Sequence, residues 1–186
     1  MAFYILVGIF FILSFGPFLS EELISDYIHT TGLWFQKFEF NASIYYLLRW
    51  VGFLVKGYNI IGTLGLILGS LVFAGILLIA GFLWKRKKTL NHVGETTIFS
   101  GLLAGICLYY FLATTVHPWY LALPLILSIF TRFRFALVWS ILVVSSYSAY
   151  SSMPATENPW LLTAEYLIVY GYLIYEVFLR KSPITT

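Results

Sequence analysis

The chain has 186 residues, 60% hydrophobic and only 10% charged, with a formal net charge of +3. Soluble domains carry about 25% charged residues, so a soluble globular enzyme is excluded and an all-α, polytopic membrane helix bundle is expected. The basic residues stand in short clusters at segment ends, where they report orientation in a bilayer rather than nucleic-acid binding.

Aromatic residues make up 20% of the chain, which implies wide interfacial belts or an aromatic-lined cavity. Cys107 stands alone in an apolar run, so neither a disulfide nor a thiolate metal site is expected, and packing is its expected role.

A bilayer-spanning helix needs about 20 apolar residues. Six segments are candidates: Ala2–Leu19, Ile60–Trp84, Thr96–Thr114, Pro118–Phe130, Phe135–Ser152 and Trp160–Leu179. The first has no positively charged start and no small-x-small cleavage pattern before Glu21 and Glu22, so it reads as a retained helix rather than a signal peptide. The fourth is short, about 20 Å if helical throughout. The whole of 1–186 reads as one membrane domain.

Lys85–Lys88, Arg132 with Arg134, and Arg180 with Lys181 fall at alternate segment ends, which the positive-inside rule makes cytoplasmic. Both termini are then cytoplasmic in a multi-pass protein, with a bacterial inner membrane the expected setting. The segment 20–59 and the junction at His117 lie on the outer face. Within 20–59, Phe40, Ile44, Leu47, Val51 and Leu54 recur at spacings of four and three, which predicts an amphipathic helix from Glu39 to Lys56. Glu39, Ser43, Tyr46, Arg49 and Lys56 fall on its far side. Such a helix either lies in the headgroup plane or packs its stripe on the other helices.

Chemistry points first to Thr114–Tyr120. His117 can bind phosphate or shuttle a proton, Pro118 breaks the helix there, and Trp119 and Tyr120 suit an interface. The alternative is an interfacial turn with a hydrogen-bonded histidine and belt aromatics. Glu39 and Asn41 follow: one facing a polar cavity while the other caps the helix, or a solvated charge beside a plain N-cap. Arg49 and Lys56 with His117 are suited to clamping a lipid-linked phosphate, or else they snorkel to headgroups. Glu21, Glu22 and Asp26 have no spacing that defines a site. Glu165, inside the last segment, is expected to face the bundle and pair with a backbone or tyrosine donor. Lys85–Lys88 are open to anionic lipid.

Two motifs carry a resemblance. Phe38-Glu39-Phe40-Asn41-Ala42-Ser43-Ile44-Tyr45-Tyr46-Leu47-Leu48-Arg49 and Val116-His117-Pro118-Trp119-Tyr120-Leu121 look like the distal half of GT-C-type integral membrane glycosyltransferases. The group most similar is the polyprenol-phosphate-mannose-dependent mannosyltransferases, over about Leu33 to Leu179. The resemblance implies transfer of a hexose, mannose by the likeness, from a polyprenyl-phosphate donor on the extracytoplasmic face. It implies His117 near the donor phosphate or glycan, Trp119 and Tyr120 in the cavity wall, and Glu39 and Asn41 ordering its roof.

That family's catalytic acid lies in a first outer loop which the resemblance does not align with Glu21, Glu22 or Asp26. The chain is therefore expected to be a C-terminal portion of a longer enzyme, with the catalytic half upstream as a partner. The donor lipid is a substrate; no cofactor and no metal is expected. The rival from another class is a non-catalytic membrane module that binds a lipid carrier or assembles with a partner subunit.

Overall fold

The structure, a computed structural model, describes residues 2–90 and 94–180. Among them it is all-α, and the chain divides into two compact units, Met1–Phe38 and Glu39–Thr186. Lys181 lies outside the described residues.

In the first unit, helix α1 (Ala2–Phe15) runs into a 3-10 turn, Gly16–Phe18, with Pro17 at its start. Pro17 lacks the N–H that would continue the helix ladder, so the chain breaks. Helix α2 (Glu21–Lys37) then leaves at 105°. Ser20 caps it, its Oγ accepting from the Leu23 N–H at 3.0 Å, and Glu21 and Glu22 sit in its first turn, where acids favour the helix dipole. No element was expected over residues 20–38, where this helix forms.

The second unit holds α3 (Ile44–Lys56), α4 (Ile61–Leu90), α5 (Glu95–Leu112), α6 (Ala122–Ile129), α7 (Phe135–Leu142) and α8 (Pro159–Ile174). A 3-10 turn at Pro118–Leu121 precedes α6, a 3-10 run Val143–Ser151 follows α7, and a π turn Tyr175–Leu179 ends α8. α3 stops at Gly57, whose φ of 76° is the left-handed cap conformation open to glycine, with its N–H on the Phe53 carbonyl at 2.9 Å. α4 and α5 pack antiparallel and close. A Cβ at Gly101 would come within 2.7 Å of Leu83, and one at Gly75 would collide with Leu108. Small residues at a helix crossing let backbones approach in this way.

Among the described residues three helices are long and apolar enough to cross a membrane: Ile61–Thr89, Glu95–Leu112 and Pro159–Leu179. The bent pair Ala2–Phe18 and Glu21–Gly32 raises the number to four if it counts as one span. The other two expected spans form shorter helices, Pro118–Ile129 and Phe135–Ser151. The core of the second unit is aromatic: Trp139 is fully buried, and Phe111 stacks on it at 4.7 Å.

The two ends of this bundle differ in charge. At one end the buried Glu176 accepts from the Arg134 and Phe135 N–H groups and from Arg180 Nη1, all at 2.7–2.9 Å. Phe99 at the start of α5 stacks on Phe130 there, and the Leu83–Gly101 contact brings the last turns of α4, with Lys85–Lys88, to the same end. The other end carries Glu39, Glu157 and Glu165.

Candidate functional site

Pro118 disfavours helix in the residue before it, and His117 is extended at φ −80°, ψ 150°. The extended stretch is used for pairing. The Phe40 N–H donates to the Thr114 carbonyl at 3.1 Å, and the Val116 N–H donates to the Phe40 carbonyl at 2.8 Å. A short parallel bridge thus joins the two motifs, 75 residues apart in Phe40–Thr115. The His117 ring stacks on Phe40 at 4.9 Å and on Trp119 at 4.3 Å, with Tyr120 edge-on at 5.4 Å. Phe40 stacks in turn on Tyr150. Trp119 is exposed while His117 is 5% exposed, so the rings run from the surface inward. Burial lowers the His117 pKa and keeps the imidazole neutral near pH 7.

The bridge holds Glu39–Ser43 out of α3, which begins only at Ile44. The helix expected from Glu39 is thus five residues shorter, and Asn41 is no N-cap. It adopts φ 47°, a left-handed conformation that asparagine tolerates better than most residues. Its side chain turns inward, and Asn41 Nδ2 donates to Glu165 Oε1 at 3.1 Å. The Trp139 indole N–H donates to the same oxygen at 2.9 Å, and the Tyr166 hydroxyl donates to the Asn41 carbonyl at 2.6 Å. Glu165 faces the bundle as expected, but its donors are an amide and an indole rather than a backbone group or tyrosine.

Glu157 accepts from the Asn41 N–H and the Tyr46 hydroxyl. Glu39 is held by Arg49, by the Tyr45 hydroxyl and by Asn59 Nδ2 at 2.6 Å. Burial pushes the phenols of Tyr45 and Tyr46 up, so both act as donors. The Arg49 guanidinium also lies 4.4 Å over the Tyr46 ring. Ser43 Oγ donates to the Phe111 carbonyl and meets the Tyr170 hydroxyl, each at 2.9 Å.

Of the residues expected at the site, Glu39, Asn41, Arg49, His117, Trp119 and Tyr120 therefore gather at one end of the second unit. Lys56 sits in the last turn of α3, exposed and about 10 Å along the axis from Arg49. Arg49 is paired with Glu39, and burial lowers the His117 pKa. Glu21, Glu22 and Asp26 are exposed on the first turns of α2.

Trp139, Tyr46, Tyr166 and Glu157 join the site without having been expected there from the sequence. The usable signal was Glu165, a carboxyl in an apolar helix that must find donors. Among the described residues no three His, Cys, Asp or Glu side chains come together as a metal site would need. No family model, curated protein or solved structure matches this chain.

Proposed function

We propose that the chain is the carrier-binding half of a GT-C-type glycosyltransferase, holding a polyprenyl-phosphate-linked hexose at the extracytoplasmic end of the bundle. The observation that carries the reading is the bridge between Phe40 and Thr115–Val116. It makes one unit of two motifs that are far apart in the chain and that were both singled out by the resemblance. In this reading the end bearing Glu39 and His117 is extracytoplasmic, both termini are cytoplasmic, and α3 lies at the outer interface.

Arg49 is the phosphate contact. Glu39 orients its planar fork through one nitrogen, and the remaining N–H groups stay available to an anion. Trp119, exposed beside His117, packs on the polyprenyl chain or the sugar face. Glu39, Glu157 and Glu165 all already accept hydrogen bonds from neighbours, so in this reading the base that activates the acceptor hydroxyl comes from the catalytic half.

One observation favours the non-catalytic module: the polar groups of this end are largely spent on one another. The test is transfer of labelled mannose from polyprenyl-phosphate-mannose to a lipid acceptor, by the chain alone and after co-expression with an upstream catalytic segment. Transfer only in the second case, lost in Arg49→Ala, is expected. Absence of transfer in both, with the lipid still bound, would leave the module as the function.

A further inference from the structure

Beside the bridge lies a narrow recess between the 3-10 run Val143–Ser151 and the start of α8. Asn41, Ser145, Ser146, Ser148, Glu157 and Asn158 line it, with two leucines of α8 closing the side. In its lining Ser146 Oγ is buried without a hydrogen-bond partner among the described residues, and so is Oε2 of Glu165, which lies outside the lining. Ser146 is 9% exposed and Glu165 is 2% exposed. Buried polar groups in native structures are paired with something. Asn41 links the recess to Glu165, since it lines the one and donates to the other.

The charge around the recess decides what that partner is. Glu157 lines it and Glu165 lies behind Asn41, while the one cation of this network, Arg49, is paired with Glu39. An anion would meet carboxylates. A hydroxyl group, by contrast, can donate to a carboxylate oxygen and accept from a serine at once. We propose that this recess is a binding subsite for a hydroxyl group of a neutral, polyhydroxylated headgroup, with Ser146 and Glu157 as its contacts. This rests on the reading of a lipid-linked hexose, and it divides the labour: Arg49 takes the phosphate and the serine recess takes the sugar.

The test is native mass spectrometry of the full chain in a detergent without a sugar headgroup. The probes are polyprenyl phosphate, polyprenyl-phosphate-hexose and a hexosyl diacylglycerol, the last carrying sugar without phosphate. The hexose-bearing polyprenyl lipid should bind roughly threefold to tenfold tighter than bare polyprenyl phosphate, the worth of one or two neutral hydrogen bonds. Ser146→Ala should erase that preference and leave bare polyprenyl phosphate bound as before. Equal binding of the two polyprenyl lipids, or a preference unchanged in Ser146→Ala, overturns the subsite and leaves the carrier-binding reading standing. Binding of the hexosyl diacylglycerol alone, lost in Ser146→Ala, supports the subsite and overturns the polyprenyl-phosphate reading. Failure of all three lipids to bind overturns both.

Discussion

Asn41 does three jobs at one position. Its backbone takes the left-handed turn that lets Phe40 pair with Thr115, its N–H satisfies Glu157, and its amide satisfies Glu165. Asn41→Gly keeps the turn but strips a donor from a buried carboxyl, costing about 1–3 kcal/mol. Asn41→Ala adds the strain of a left-handed alanine, about 1–2 kcal/mol more. Chemical unfolding in detergent should therefore rank wild type above Asn41→Gly, and Asn41→Gly above Asn41→Ala. His117 gives a pH signature. Burial sets its folded-state pKa below the unfolded value, so the unfolded state binds more protons below about pH 6.5 and stability falls as pH drops through that value. Melting at pH 7.5 and 5.5 should show a decrement that shrinks in His117→Phe. Asn41 also shows where a sequence is readable. Its place in Phe38–Ser43 marked it as polar among apolar residues, but an N-cap was the local expectation. The role it plays depends on Glu165 and Trp139, which are far away in the chain, and no local pattern encodes that meeting.

α3 is turned against the habit of a water-soluble helix. Tyr45 is fully buried and Tyr46 and Arg49 enter the polar network, while Leu47, Trp50, Val51 and Leu54 stay exposed. Of the expected stripe, Phe40 is buried and Ile44 packs against the core, while Leu47, Val51 and Leu54 do not, so packing on the bundle holds only for its first part. A nitroxide at Leu54→Cys should collide with oxygen more than with a water-soluble nickel chelate, at a depth shallower than one at Leu78→Cys in mid-α4. Dominant collisions with the nickel chelate would remove the bilayer from that face. The periodicity of Phe40 to Leu54 was legible because a 3.6-residue repeat is local. Its start was not, because the bridge to Thr115 outweighs helix propensity over Glu39–Ser43. α2 was legible in principle: Ser20-Glu21-Glu22 is a helix-start signal, overlooked beside the longer apolar runs.

At the scale of the molecule, the apolar segments and their order were readable from hydropathy, since each is a local run. How many cross a membrane was not, because Pro118 and the 3-10 run Val143–Ser151 shorten two of them. Lys85–Lys88, Arg134 and Arg180 share one end of the second unit, and the proposed orientation puts that end in the cytoplasm. A membrane-impermeant maleimide applied to intact cells should label Tyr58→Cys at the α3–α4 turn, and Lys87→Cys only after permeabilisation. The reverse pattern would invert the protein and move the site to the cytoplasmic face.

The central claim is that the bridged motifs form one site for a lipid-linked phosphate. The direct measurement is photo-crosslinking of the full chain with a diazirine-bearing polyprenyl phosphate, mapped by peptide mass spectrometry. Label is expected on two peptides together, one within 39–59 and one within 114–121, and should fall severalfold in Arg49→Ala. Label concentrated on Lys85–Lys88 and the Arg132–Arg134 turn, with none on either motif, would contradict the account.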